Sequence, residues 1–438
     1  MAYPKYESYK DSGVEWLGEI PKDWEVQSLR SILINRNEKN DPVKTADILS
    51  LSIASGVTPY SDENRGGNKA KNDLTAYKLA YPGDIVLNSM NVVVGAVGLS
   101  KYFGAISPVY YALYPRNKEK TSVYFYNYIF RNISFQKYLF QYGKGILVKK
   151  SDSGKLNTIR MKISIQELKK VPLPLPPITE QERIVEFINH KTAEIDEAIA
   201  KKQRLIKLLQ EQKNTLINQA VIKGLNPKAP MHDSGVEWVG QMPKYWEFKQ
   251  LKRLFAEYDK RSTDGTEILL SMRMYGGLVP HTEVSNKPIA SSELIGYKKV
   301  KPGEIVMNRM RAATGLFAIS SIEGIVSPDY AVFRTVTDLI PDYFLYLFKT
   351  QAMKDIFFSE SKGIGTGSSG FLRLYSDRFG WIKVPVPPVE EQADIVSHIE
   401  RITGEFAGVI DKINNEISLL QELKNIIIAQ AVTGKIKI

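Results

Sequence analysis

The sequence contains no cysteine and only four histidines, His190, His232, His281 and His398. Disulfide bridges and thiolate metal sites are therefore excluded, and histidines so far apart predict no structural metal. No run of about 18 apolar residues occurs, the length needed to cross a bilayer as a helix. The opening residues, MAYPKYESYKDSG, are polar and unlike a signal peptide, so a cytoplasmic location is expected. Acid is in deficit: 48 Asp and Glu stand against 59 Lys and Arg, a formal charge of +11. That balance favours a polyanionic partner, nucleic acid first among them. With 438 residues, 43% of them apolar, the chain can bury more than one core. Two domains are the starting expectation.

Residues 179–224 organise the rest. Apolar side chains at Ile184, Ile188, Ile195, Ala198, Leu205, Leu209, Leu216 and Ala220 follow steps of three, four and seven, the pattern of a coiled-coil seam. A second stripe, Ile395, Ile399, Phe406, Val409, Ile413, Ile417, Leu420, Ile427 and Ala431, runs along residues 390–432. Each helix would be about 65 Å long at about 1.5 Å per residue. Pro176 and Pro177 precede the first, Thr179 and Glu182 form a predicted capping box, and Lys223, Gly224 and Pro227 close it. The second lacks the box but keeps Pro387 and Pro388. A lone core helix seldom needs six narrow heptads, so the two stripes predict a pair.

The chain is a tandem duplication. DSGVEWLGEIPKDWE from Asp11 returns as DSGVEWVGQMPKYWE from Asp233, and these two heads hold four of the five tryptophans. Trp16, Trp24, Trp238 and Trp246 are read as packing residues rather than base-stacking ones. Further on, YPGDIVLNSM from Tyr81 matches KPGEIVMNRM from Lys301, and the alignment continues to SPVY (Ser107–Tyr110) and SPDY (Ser327–Tyr330). Ile85-Val86 and Ile305-Val306, each behind a Pro-Gly turn, predict strands, as do the stretches around Tyr110 and Tyr330. Tyr124-Phe125 and Tyr343-Phe344 open predicted amphipathic helices. The copies differ most just before the long helices. Copy one has LVKKSDSGKLNTIR there and copy two has GTGSSGFLR, a contrast that marks the expected difference in binding.

Catalytic motifs fare poorly. GTGSSG (Gly365–Gly370) satisfies GxGxxG but has no βαβ context, so loop amides and Ser hydroxyls facing phosphates are favoured over dinucleotide binding. Pro341-Asp342 with Glu360-Ser361-Lys362 fits a loose nuclease pattern that copy one lacks. SPVY and SPDY lack the second proline of the loop with which amino-methyltransferases hold a base, and read better as strand-initiating turns. Arg273, Arg309 and Arg311 could pair with guanine or phosphate, or be solvated surface. Their counterparts Ser52, Ser89 and Asn91 are uncharged.

The heads, PGDIV and PGEIV, and above all LPPITEQERIV and VPPVEEQADIV leading into long helices resemble the specificity subunit of type I restriction and modification systems. The resemblance spans the whole chain. It implies an α/β fold: two target-recognition domains separated by an antiparallel two-helix coiled coil, with internal pseudo-two-fold symmetry. The first domain with its head would be residues 1–178 and the first spacer helix residues 179–224. The linker, second head and second domain would fill 225–389, and the second helix and tail 390–438. The resemblance further implies a non-catalytic chain that reads a bipartite site in double-stranded DNA. Its partners would be two methyltransferase subunits carrying S-adenosylmethionine and restriction subunits using ATP and Mg²⁺, with no cofactor on this chain. Candidates for DNA contact are Asn88, Asn91, Lys144, Lys149, Lys150, Lys155 and Arg160 in copy one. In copy two they are Arg273, Arg309, Arg311, Lys362, Ser368, Ser369 and Arg373. Two rivals stay open: an enzyme in its own right, and a coiled-coil scaffold that ignores DNA.

Overall fold

The computed structural model describes residues 3–60, 73–146, 160–274, 276–287, 289–364 and 371–438. Two compact units divide the chain: residues 1–202 with 415–438, and residues 203–414.

In the first unit a four-stranded antiparallel sheet has the order Leu33–Arg36, Tyr110–Pro115, Ile85–Asn88, Val97–Leu99. The Pro-Gly turn before Ile85 is closed by Asp84, whose carboxylate accepts the Tyr81 N–H at 2.9 Å, while Gly83 supplies φ +89°. The strand that follows is apolar without alternation because both faces of the sheet are covered. Ile85 and Leu87 join the large core, which is built on Phe125, Phe130 and Phe135 of the helices Val123–Arg131 and Ile133–Leu139. Val86 points the other way, into a smaller core under the hairpin Leu49–Ser52/Gly56–Pro59. Trp24 is fully buried and Trp16 packs edge-on against Phe135 at 4.8 Å, as the packing reading expects.

The second unit repeats this plan with the sheet order Phe255–Glu257, Tyr330–Thr335, Ile305–Asn308, Phe317–Ile319. Glu304 closes the Pro-Gly turn by accepting the Lys301 N–H at 2.7 Å, and Ile305 and Val306 again face separate cores. One internal exchange shows that the plan, not the residue, is kept. Arg36 holds Asp84 in two hydrogen bonds of 2.8 and 3.0 Å and lies over the rings of Tyr81 and Tyr114. At the matching places the second unit has Tyr258 for Arg36 and Arg334 for Tyr114, and Arg334 pairs with Glu304 and lies over Tyr258. Cation and aromatic have swapped strands around a fixed carboxylate.

The long helices span Ile178–Lys223 and Val389–Val432. In the first unit they run antiparallel, with Asp196 against Lys424 at 2.7 Å and Lys202 against Glu416 at 2.6 Å. Ile184, Ile188, Ala431 and Val432 enter that unit's core. In the second unit Ala220, Val221 and Ile222 share a core with Ile395 and Ile399, again antiparallel. The expected seam needs correction between these ends. Leu205 and Val409 are exposed, and the neighbouring Ile206 and Ile410 are the half-buried ones. In the first helix the seam therefore passes through Ile206 rather than Leu205, while Ile195 is buried and Ala198, Ile199, Leu209 and Leu216 are half-buried. The capping box is also replaced. Thr179 already lies inside the first helix, and the fully buried Gln181 ties the first turn down instead. Its amide donates to the carbonyls of Lys120 (2.9 Å) and Pro176 (2.8 Å) and accepts the Ser122 N–H (2.9 Å). Gln392 does the same at Pro387 and Ile340.

Candidate nucleic-acid interface

Each unit carries one turn whose backbone is shared and whose side chains differ. After the strand Ile85–Asn88, the side-chain carbonyl oxygen of Asn88 accepts the Met90 N–H at 2.9 Å, and Gly95 closes the turn at φ +87°. Asn308 does the same for Met310 at 3.1 Å, and Gly315 closes that turn at φ +76°. Asn88 is thus a turn former, and the exposed tip is Asn91 in one unit and Arg311 in the other. The stretches SPVY and SPDY also behave as turns, with the Tyr110 and Tyr330 N–H groups donating to Ser107 and Ser327 at 2.9 and 3.0 Å.

A two-stranded hairpin is fastened to each turn. In the first unit it pairs Gly143–Ile146 with Arg160–Ile163, and the Ile163 N–H donates to the Ser89 carbonyl at 2.9 Å. In the second it pairs Lys362–Ile364 with Phe371–Arg373, and the Leu374 N–H donates to the Arg309 carbonyl at 2.9 Å. Segments more than 50 residues apart in sequence are thereby brought to one place. Lys144 and Lys362 are exposed on these hairpins, facing Lys162 and Arg373 in register. The backbone of Arg160 is in the first hairpin opposite Ile146. Lys149, Lys150, Lys155, Ser368 and Ser369 lie outside the described residues, as does GTGSSG.

The structure does not bring all the candidates together. Arg273 is exposed at the end of a different hairpin, Leu270–Arg273/Gly277–Pro280, which packs on the strand Phe317–Ile319. Arg309 is engaged inside its own unit: its guanidinium reaches Glu257 at 2.6 Å and Ser376 at 3.0 Å. Burial pushes the Glu257 carboxyl up, but hydrogen bonds from Lys298 and Ser376 and the charge of Arg309 outweigh it and hold the group below its ordinary value. Arg373 is likewise tied to Asp329 at 3.0 Å. Lys298 was missed by sequence reading; it is almost fully buried and sits 2.8 Å from Glu257. Its counterpart Lys78 was missed too, although KLAYPGD and KKVKPGE align the two. Among the described residues no cluster of three or more His, Asp or Glu side chains could hold a metal.

A family model described as the type I restriction modification DNA specificity domain matches residues 21–208 and again residues 243–419. The chain belongs to this family. As a specificity subunit it is the DNA-recognition component of a type I restriction–modification system, a non-catalytic role. Among similar proteins, the type I restriction enzyme MjaX specificity subunit of Methanocaldococcus jannaschii is 23% identical over all of this chain and 99% of its own length. The EcoKI specificity subunit of Escherichia coli K12 is 22% identical over 61% of this chain and 58% of its own. A chain from a structure on complex assembly and conformational transition of the type I R-M system aligns with a TM-score of 0.64 at 15% identity, covering 94% of this specificity subunit and 98% of itself. The HsdS subunit from Thermoanaerobacter tengcongensis aligns at 0.50 and 14% identity, covering 95% and 98%. These likenesses show the shared fold. No helix among the described residues is long and apolar enough to cross a membrane.

Proposed function

We propose that each unit of this specificity subunit reads one half of a split sequence in double-stranded DNA, in the major groove, through its turn and fastened hairpin. The observation that supports this reading most is a shared frame with unshared tips. The same Asn-closed turn carries Asn91 in one unit and Arg311 in the other. Asn pairs well with adenine and Arg with guanine, so unlike tips on like frames suit unlike half-sites. Arg273, Lys144, Lys362 and Arg160 would add phosphate or base contacts, whereas Arg309 and Arg373, held by Glu257 and Asp329, would position their loops.

On this reading the chain recruits methyltransferase subunits, which carry S-adenosylmethionine, and restriction subunits, which use ATP and Mg²⁺, and it acts on DNA in the cytoplasm. The exposed side chains Leu419, Leu423 and Ile426, spaced four and three along the second helix, would offer a methyltransferase an apolar stripe. The test is to map modified bases in cells expressing the chain with its methyltransferase subunit, each alone, and the pair with Leu423→Glu. Modification should require both proteins and fall with the variant. Modification by this chain alone would restore the enzyme reading, and none from the pair would favour a scaffold.

A further inference from the structure

The two units treat their matching cations in opposite ways. In the second unit Lys298 lies 2.8 Å from Glu257 and 3.3 Å from Asp259. Arg261 reaches Asp259 at 3.1 Å, and Arg373 reaches Asp329 at 3.0 Å. With Arg309, which also reaches Glu257, four basic groups thus share three carboxylates within the unit. At the places of Glu257, Asp259 and Asp329 the first unit has Asn35, Asn37 and Val109.

The matching cations of the first unit are Lys78, Lys39 and Lys162, and the fold gathers them. The backbone of Lys39 bridges to that of Lys78, just as Arg261 bridges to Lys298. Lys162 stands opposite Lys144 across the hairpin. The Tyr111 hydroxyl donates to the carbonyl of Ile163, the residue after Lys162, at 3.2 Å, and burial, with the charge of Lys162 added, pushes the Lys78 ammonium down. Lys78 donates to the Tyr110 carbonyl at 2.8 Å and lies 5.1 Å over the Tyr111 ring. Among the described residues none of Lys39, Lys78, Lys144 and Lys162 has an acidic partner. Where the second unit places Arg309, the first has the uncharged Ser89, which is 1% exposed.

Gathered like charges destabilise one another until an anion arrives. We propose that Lys39, Lys78 and Lys162 form a binding site for DNA backbone phosphate in the first unit, and that carboxylates built into the second unit offset most of the positive charge at the matching site there. The inference rests on the DNA-reading role. It divides the labour: at this face the first unit supplies sequence-independent grip, and the second relies on its exposed tip.

Phosphate neutralisation shows in the salt dependence of binding to any duplex. The full chain is titrated with a labelled random-sequence duplex over a range of salt concentrations. Lys39→Gln with Lys162→Gln, both exposed positions that should fold normally, should make the slope of log affinity against log salt shallower by about 0.9 for each phosphate no longer neutralised, about 1.8 for the pair. Asp259→Asn with Asp329→Asn, which frees Arg261 and Arg373, should steepen it. An unchanged slope in the lysine variant would overturn the phosphate site, and an unchanged slope in the second variant would overturn the charge offset. Failure of the wild-type chain to bind any duplex would instead sink the DNA-reading role on which both rest.

Discussion

Gln181 is the most informative single side chain in the first unit. It is fully buried, yet its amide has three partners, so it joins the start of the long helix to the loop before the helix Val123–Arg131. Gln181→Leu would keep the volume and strand the Ser122 N–H with the Lys120 and Pro176 carbonyls. A loss of about 2–4 kcal/mol is expected from buried groups left unpaired. Chemical denaturation measures it, and a midpoint equal to that of the wild type would contradict the clamp. The EQ pair in PPITEQ and PPVEEQ was plain in the sequence, but its role was not, because Ser122 is 59 residues from Gln181. The same distance problem hid the state of Arg309. Its residue type suggested a base reader, and only the fold reveals Glu257, 52 residues away, holding it.

At the scale of elements, the strands and helices were legible because local chemistry marks their ends: Pro-Gly turns before Ile85 and Ile305, paired prolines before the long helices, Gly224 after the first. The seam was legible only in period. Leu205 and Ile206 are both apolar and adjacent, and a step of three or four admits either; the packing partner decides. Leu205 is 45% exposed and Ile206 is half-buried. Ile206→Asp is therefore expected to cost about 1–3 kcal/mol and Leu205→Asp no more than about 0.5 kcal/mol, since surface changes away from packed groups cost little. Thermal unfolding of the two variants distinguishes them, and the reverse order would return the seam to Leu205.

At the scale of the whole molecule, the duplication was the strongest signal in the sequence and the fold follows it: sheet order, turn closure and double-sided cores recur in both units. What the repeat could not disclose is where the copies part company physically. The swap of Arg36 and Tyr114 for Tyr258 and Arg334 preserves a cation–aromatic pair, whereas the change from Asn35, Asn37 and Val109 to Glu257, Asp259 and Asp329 alters how cations are held. For the candidate site the sequence offered residue types on a variable loop, of which Lys149, Lys150, Lys155, Ser368 and Ser369 lie outside the described residues, and the joining of a turn to a hairpin was hidden because the fastening bonds are backbone ones.

On the proposed reading the two units read separate halves of one DNA site. The most direct measurement is the base-resolution map of modified sites produced by the assembled methyltransferase with the wild-type chain, with Asn91→Ala and with Arg311→Ala. A split motif with a fixed gap is expected, relaxed in one half by the first variant and in the other half by the second, each by about 1–3 kcal/mol of base discrimination. A compact motif, or both variants relaxing the same half, would contradict it.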